Sequence, residues 1–392
     1  MLTLDSLDVR NKRVLVRVDF NVPLSDDLEI LDDSRIRAAL PTIRHVLAHN
    51  GSCVLMSHLG RPKGEPDERL RLAPVAERLT ELLPDHPVRS CPEVVGDQAR
   101  EMAQGLAAGA VLLLENLRFR AEEKEGDEAF ARELASLGEV YVNDAFAACH
   151  RRHASVYAVP RQFAADQRAA GLLVQREVEA LTRVVENPKT PLVAIFGGAK
   201  VSDKVATVKA LAARADRILI GGAMSYTLMK AQDQPVGDSK VEDDQLDTAR
   251  QILHDAGDRL WLPSDHVVAR SQGADPGGRL ARDGIAEGWS GFDIGPETIA
   301  RYRDEIAKAA TVVWNGPMGK IEDDDYLEGT RKIAECVAAC DATTVVGGGE
   351  TAEVLRRLGL EDQVTHLSTG GGAFLEFVAH GTLPAFEVLQ GE

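Results

Sequence analysis

The stretch Pro191–Val208, PLVAIFGGAKVSDKVATV, decides how this chain is read. Leu192, Val193, Ala194, Ile195 and Phe196 form a short apolar run of the kind that suits a strand buried on both faces. Gly197 and Gly198 break the run, and a helical pattern begins at Val201. A strand, a tight turn and a helix N-terminus leave free backbone amides, which form a ready anion site. Lys200 and Lys204 lie one helical turn apart and can point the same way. An ordinary strand-turn-helix with two solvated lysines has the same letters. What separates the readings is repetition elsewhere in the chain.

Working outward, four more strand-like runs occupy the second half: Arg217–Ile220, Thr311–Trp314, Thr343–Val346 and Val364–Leu367. Glycine follows again and again, at Gly221-Gly222, within Asn315–Gly319, and at Gly347-Gly348-Gly349, with Ser368–Gly372 after the last run. Leu260–Pro263 reads as a further strand, whereas Gly273–Gly278 and Gly284–Gly295 read as surface loop. Gly171–Asn187 has helical periodicity ended by Pro188 and Pro191, and reads as a connecting helix between two domains.

The first half repeats the alternation with a different rim. Val14–Phe20, Cys53–Leu59, Val111–Glu115 and Val140–Asn143 read as buried strands. Helical stretches near Ser34–His49, Ala73–Leu83 and Asp127–Leu137 separate them. Such alternation predicts a parallel sheet with helices on both faces, and ligands at the carboxyl ends of its strands. Arg17, Asp19 and Asn21 close the first strand; His58, Leu59, Gly60 and Arg61 follow the second. Arg118 follows the third, and His150, Arg151, Arg152 and His153 follow the fourth, while Arg35 opens the first helix. Arginine binds carboxylate and phosphate through a planar fork, so this rim predicts a small polyanionic ligand. The glycine rim of the second half predicts a nucleotide. The fold class is therefore α/β, with two doubly wound parallel-sheet domains joined by a connecting helix.

At 392 residues the chain exceeds the usual size of one core, so two domains are the natural expectation. Its net charge of -17 argues against nucleic acid or an anionic membrane as partner. The five cysteines, Cys53, Cys91, Cys149, Cys336 and Cys340, are odd in number and scattered, unlike a disulfide framework. Cys336 and Cys340 read as helix packing rather than a metal site. The N-terminus lacks the apolar core of a signal peptide, and no apolar run spans a membrane, so the expected location is cytoplasmic.

Several chemistries compete for these motifs. Gly347–Ala352 fits the dinucleotide pattern G-x-G-x-x-A, but the next strand ends His366-Leu367-Ser368-Thr369 without the acid that would hold a ribose. A Walker A lysine motif is absent around Lys200 and Lys204, as are the protein-kinase signatures. No nucleophile triad or zinc cluster stands out. Phosphoryl transfer between two anions needs no covalent catalyst, only neutralised charge, in-line positioning and exclusion of water. An arginine rim and a lysine-glycine rim supply those parts; a protein that merely binds two anions would share them.

Arg17–Pro23 (RVDFNVP), Ser57–Pro62 (SHLGRP), Glu115–Phe119, Gly197–Lys200, Val313–Gly319 and Ser368–Ala373 closely resemble the phosphoglycerate kinase family, in the same order and across the whole chain. The resemblance implies reversible transfer of the acyl phosphate of 1,3-bisphosphoglycerate to ADP, giving ATP and 3-phosphoglycerate, with Mg2+ accompanying the nucleotide. It also implies a monomer with a hinge. Residues 1–170 would bind 3-phosphoglycerate, 171–187 would form the interdomain helix, 188–373 would bind nucleotide, and 374–392 would return to the first domain. The acid-sugar site implied is Arg17, Asp19, Asn21, Arg35, His58, Leu59, Gly60, Arg61, Arg118, His150 and Arg151. The nucleotide site implied is Gly197, Lys200, Lys204, Gly221, Gly291, Asn315, Glu322, Gly348, Gly349, Glu350 and Thr351. Glu322 would hold the ribose and Lys204 a nucleotide phosphate. Arg35 and Lys200, with Gly371 and Gly372, would meet the transferring phosphoryl group.

Three departures from the family's pattern stand out. Glu350 replaces the usual Asp that contacts the magnesium of the nucleotide. Ala147-Ala148-Cys149 replaces Gly-Thr-Ala before His150, with Arg152 as an added charge. Ala385 stands where Gly usually follows Leu-Pro.

Overall fold

The protein was studied as a computed structural model that describes residues 1–270 and 277–391. The chain forms two compact units, Met1–Glu179 with Thr382–Glu392, and Ala180–Gly381.

The first unit holds a wholly parallel sheet of β1 (Arg13–Arg17), β2 (Ser52–Met56), β3 (Val88–Ser90), β4 (Val111–Leu113), β5 (Val140–Asn143) and β6 (Arg168–Ala170). Their order is β3-β4-β2-β1-β5-β6. Helices α1 (Ser34–Ala48), α2 (Ala73–Leu82), α3 (Asp97–Gln104), α4 (Ala121–Glu125) and α5 (Glu128–Ala135) connect the strands. Helix α6 (Leu172–Val185) follows, and the division between the units at Glu179 falls inside it. The central strands β2 and β5 are buried at every position, as helices on both faces require. The chain leaves β1 toward β2 and returns on the other side at β5. That reversal opens a crevice between the carboxyl ends of β1 and β5. Register brings Arg17 level with Asn143 at the carboxyl ends of the two strands, and both side chains are buried.

The second unit repeats the plan. Strands β7 (Leu192–Phe196), β8 (Arg217–Ile220) and β9 (Leu260–Trp261) lie on one side of the reversal. Then come β10 (Asp265–Ala269), β11 (Arg279–Arg282) and β12 (Ser290–Ile294), and the parallel sheet resumes with β13 (Thr311–Asn315), β14 (Thr343–Gly347) and β15 (His366–Leu367). The parallel order is β15-β14-β13-β7-β8-β9. Its helices are α7 (Val205–Ala212), α8 (Met224–Ala231), α9 (Leu246–Ala256), α10 (Pro296–Ile306), α11 (Glu328–Ala339), α12 (Gly349–Arg357) and α13 (Gly372–His380). Trp314 anchors the core from β13, wholly buried, with its indole N–H donating to the Gly316 carbonyl at 2.8 Å. The reversal lies between β7 and β13, where Phe196 pairs with Asn315.

Strands β10, β11 and β12 form a separate antiparallel sheet in the order β11-β10-β12. This corrects the surface-loop expectation for Gly284–Gly295. The glycine at 291 marks a close approach, not a loop: a Cβ there would sit 2.1 Å from the Tyr226 hydroxyl oxygen. The Gly273–Gly278 loop lies outside the described residues except for Gly277 and Gly278. Thr207 Oγ1 of α7 donates to the Leu375 carbonyl of α13 at 3.0 Å, so residues through Gly381 belong with the second unit. From Thr382 the chain lies in the first unit, where α14 (Pro384–Gln390) packs.

Candidate active site

In the first unit the crevice is lined with cations. Arg17 is 1% exposed and its three nitrogen groups are all engaged. Nε donates to Ser155 Oγ at 2.8 Å, one terminal nitrogen donates to the Val18 carbonyl, and the other meets His58 Nδ1 at 3.1 Å. Arg35, entering from the first turn of α1, donates to the buried Asp19 carboxylate. Asn21 Oδ1 accepts from the Gly60 amide at 2.7 Å, which ties the loop after β1 to the loop after β2. Asn116 fixes the next loop, accepting from the Leu59 and Arg118 amides at 3.2 and 3.1 Å. Arg118 then donates to the Gly60 carbonyl at 2.6 Å, and its buried Nε has no partner among the described residues. Arg151 Nε donates to His150 Nε2 at 3.1 Å at the exposed rim. Arg61 is exposed and has no partner among the described residues.

The electrostatics follow from this crowding. Burial pushes the Arg118 guanidinium down to about 10, with Arg151 and Arg17 adding to the fall. Burial, then Arg151, Arg118, Arg17 and His150, brings His153 down to about 3. Burial would raise the Asp19 carboxyl, but Arg35 and its cationic neighbours outweigh it and hold Asp19 below its ordinary value. Cations packed this closely, with one uncapped guanidinium nitrogen, form an anion receptor. At the back of the crevice Asp144 caps α6, accepting from the Leu173 amide at 2.8 Å. Its burial raises that carboxyl to about 6.

In the second unit the two glycine loops cross at the reversal. Gly197 N–H donates to the Asn315 carbonyl at 3.0 Å and Gly198 N–H to the Pro317 carbonyl at 2.8 Å. A Cβ on Gly197 would lie 2.0 Å from the Pro317 carbonyl oxygen. Glycine is needed there because backbone passes backbone. At Gly349 nothing lies within 4 Å of such a Cβ. That glycine opens α12, where the Gly349, Glu350 and Thr351 amides point outward as helix-start donors. The Thr351 hydroxyl is buried and accepts from Gly316 N–H at 2.8 Å, so its side chain joins the β13 loop to α12. Gly348 sits just before this helix in a left-handed conformation, φ 102°. Gly371 stands open before α13 and Gly372 begins it.

A pocket of about 400 Å³ lies over the crossing, lined by Gly198, Gly222, Gly291, Phe292, Pro317, Ile321, Glu322 and Glu350, among others. Gly221 lies beneath, packed on Met318. Lys204 is half-buried; burial lowers its ammonium, while Glu350 and Asp203 work against the fall. Lys200 is exposed, on a loop fixed by Glu242, whose carboxylate accepts from the Val201 amide at 2.6 Å and the Ser202 hydroxyl at 2.6 Å.

Sequence reasoning missed the apolar wall of this pocket, Phe292 and Ile321, and the charged Lys240 and Lys320 that also line it. Phe292 was hidden in the supposed loop. Lys240 carried no signal, because it follows no strand. It also missed Glu123 and Ser155, the wholly enclosed pair behind Arg17. A further hollow of about 690 Å³ is lined mainly by acidic side chains, among them Asp27, Asp32, Asp33, Glu77 and Glu81, with Arg78.

Among the described residues, no cluster of three or more acidic, histidine or cysteine side chains suits a metal ion. No described helix is long and apolar enough to cross a membrane. All five cysteines are free.

Comparison with known proteins agrees over the full length. The family model for phosphoglycerate kinase matches residues 4–380. A phosphoglycerate kinase of Salinibacter ruber is 52% identical over 397 residues, covering 99% of this chain and 98% of that protein. One of Anaeromyxobacter sp. is 51% identical, covering 99% of each. The solved phosphoglycerate kinase of Coxiella burnetii superposes with a TM-score of 0.85 at 37% identity, covering 99% of this chain and 98% of that one. That of Pyrococcus horikoshii gives 0.87 at 32% identity, covering 100% and 98%. Two doubly wound sheets, a cationic crevice in one and crossed glycine loops in the other, are thus found in a chain that belongs to the phosphoglycerate kinase family.

Proposed function

We propose how this chain divides the phosphoglycerate kinase reaction between its two crevices. The cationic crevice of the first unit takes 3-phosphoglycerate or 1,3-bisphosphoglycerate, and the glycine pocket of the second takes ADP or ATP. The observation that carries the division is Arg118, a buried guanidinium with an unpartnered Nε among other cations. A group so placed needs an anion. Arg61, Arg151 and Arg35 stand at the rim and supply forks for a phosphate. Asp19 and Asn21 hold the loops and present acceptors to the sugar-acid hydroxyl. In the second unit the α12 amides and Lys204 face the nucleotide phosphates. Phe292 and Ile321 offer flat apolar surface to the base, and Glu322 accepts from the ribose.

The family uses a magnesium nucleotide. The donor set fits an ion that arrives on the phosphates: the pocket offers the Glu350 carboxylate and no cage. Bound there, Mg2+ would supply charge neutralisation between phosphate oxygens. Glu350, one methylene longer than the family's Asp, would hold it from the helix start. Lys200, exposed and with no side-chain partner among the described residues, would neutralise the transferring phosphoryl with Arg35 and the α13 amides at Gly371 and Gly372. Direct transfer requires the acyl phosphate and ADP to meet away from water, so approach of the two units during turnover belongs to this proposal. So do a monomeric state and a cytoplasmic location, which suit a freely diffusing substrate pair.

Isothermal titration of Arg118→Ala tests the assignment. Loss of 3-phosphoglycerate binding with ADP binding intact supports it. Equal loss of both, or loss of ADP alone, refutes it.

A further inference from the structure

Behind the ligand-facing cations lies a sealed chain of polar groups. Glu123 is 1% exposed and Ser155 is fully buried. Glu123 Oε2 accepts from the Ser155 amide at 2.9 Å, and Oε1 accepts from the Ser155 hydroxyl at 2.6 Å. The Tyr141 hydroxyl donates to the Ser155 carbonyl at 2.8 Å. Every polar group of Ser155 is therefore fixed. With its proton committed to Glu123, the Ser155 oxygen can only accept, and it accepts from Arg17 Nε at 2.8 Å. Arg17 is held at Ser155 and at the Val18 carbonyl, and its remaining terminal nitrogen reaches His58 Nδ1 at 3.1 Å.

A guanidinium can only donate. His58 Nδ1 must therefore be an acceptor, and the ring proton must sit on Nε2. A second proton on Nδ1 would point at the guanidinium N–H, and the nearest carboxylate oxygen, Asp19 Oδ1, is 4.0 Å away. His58 Nε2 has no partner among the described residues and is not sealed from solvent.

We propose that Glu123 and Ser155 are positioning residues that hold Arg17 in place to fix His58 as its Nε2–H tautomer, so that His58 meets the acid substrate as a hydrogen-bond donor and not as a cation. The part concerning substrate rests on the proposed placement of 3-phosphoglycerate. The charges facing His58 agree: burial drives its imidazolium well below the ordinary range, Asp19 resists, and Arg17, Arg118 and Arg35 add to the fall. Burial raises the Glu123 carboxyl, and the charge of Arg17 and the two Ser155 hydrogen bonds work against that rise. Such a receptor would keep its donor through the pH range in which a free histidine titrates.

Nitrogen NMR of histidine-labelled full-length protein reads the tautomer directly. Wild type should show His58 protonated on Nε2 and untitrated from about pH 5.5 to 8. Protonation on Nδ1, or an ordinary titration, overturns the proposal. Ser155→Ala removes the relay, and Glu123→Gln removes its charge while keeping its size. In a variant that retains its melting transition, His58 should lose its single tautomer. The 3-phosphoglycerate KM should rise about tenfold while the ATP KM stays within about twofold. An unchanged tautomer and KM in both variants overturns the relay. Adding 3-phosphoglycerate to wild type separates the two claims. A shifted Nε2–H signal supports donation to substrate; a fixed tautomer that ignores the ligand sinks the substrate placement and leaves the relay standing.

Discussion

The glycines of the second unit make a test that separates fold from ligand. At Gly197 an added methyl would stand 2.0 Å from the Pro317 carbonyl oxygen and 2.6 Å from its carbon, and both neighbours are backbone. Relief to ordinary contact near 3.4 Å requires the loops to part by about 1.4 Å. That separation strains the two hydrogen bonds across the crossing, at 3.0 and 2.8 Å. Each is worth about 1 kcal/mol, and overpacking adds roughly 1–3 kcal/mol. Gly197→Ala should therefore cost about 3 kcal/mol, lowering the Tm of a unit this size by roughly 6–12 °C. At Gly349 the space is empty within 4 Å and the residue is helical, so Gly349→Ala should leave the stability unchanged or raise it by up to about 1 kcal/mol, with no fall in Tm. It should instead weaken Mg-ADP about tenfold, because the methyl fills the room left for phosphate at the α12 amides. Calorimetric melting and ADP titration on both variants read the two effects. A Gly197→Ala protein that melts like wild type would refute the packing argument. A Gly349→Ala protein with lowered Tm and unaltered ADP affinity would refute the phosphate argument.

Arg61→Ala should raise the 3-phosphoglycerate KM with the ATP KM and Tm unchanged, since Arg61 is exposed and makes no hydrogen bond or ion pair among the described residues. Loss of a charge-assisted pair predicts an effect of about 2–3 kcal/mol, and equal changes in both constants would count against it. Glu350→Gln keeps size and removes charge, so the magnesium dependence of nucleotide affinity should weaken; overlapping magnesium titrations of variant and wild type would exclude a metal role. His153 is held down to about 3 by burial and nearby arginines, whereas the unfolded chain takes up its proton near 6.5. Its contribution to stability is full above that value and is lost as pH falls toward 3. Urea unfolding of His153→Asn between about pH 7 and 4 should show a shallower loss than wild type, and parallel curves would contradict it.

The central strands were legible because burial on both faces demands unbroken apolar runs, as in Leu192–Phe196. The edge strands of the first unit were not. β3 reads Val-Arg-Ser and β6 reads Arg-Ala-Ala, three residues each, without a run or an alternation. They are held by the neighbour strand, which no local pattern reveals. The antiparallel sheet failed differently. Its β12 begins Ser-Gly and follows a glycine-rich turn, so turn letters masked a strand whose glycine answers to Tyr226. At the candidate site, the arginines and lysines stand out in the sequence because charge after a buried strand has few structural excuses. Glu123 and Ser155 could not, since a buried carboxylate on a helix reads as any surface glutamate until the contact across thirty-two residues is seen.

Two of the chain's departures from the family's pattern meet in space. Ala385 N–H of α14 donates to the Cys149 carbonyl at 3.2 Å, and Phe386 stacks on Phe146 at 6.3 Å. Cys149 is sealed, its thiol donating to the Ala145 carbonyl at 3.4 Å, and burial pushes that thiol up, so it acts as a small packing group and not as a nucleophile. Alanine in the first turn of α14 favours helix over glycine by roughly 1 kcal/mol, and its methyl is fully buried. Both changes therefore act on one joint, between the C-terminal helix and the segment that begins with Phe146 and carries His150 and Arg151. Unlike Glu350, which alters a group lining the glycine pocket of the second unit, they alter what holds the cationic rim from behind. A stiffer support suits a segment that must keep several like charges together before the anion arrives, because the repulsion among them falls on the contacts beneath.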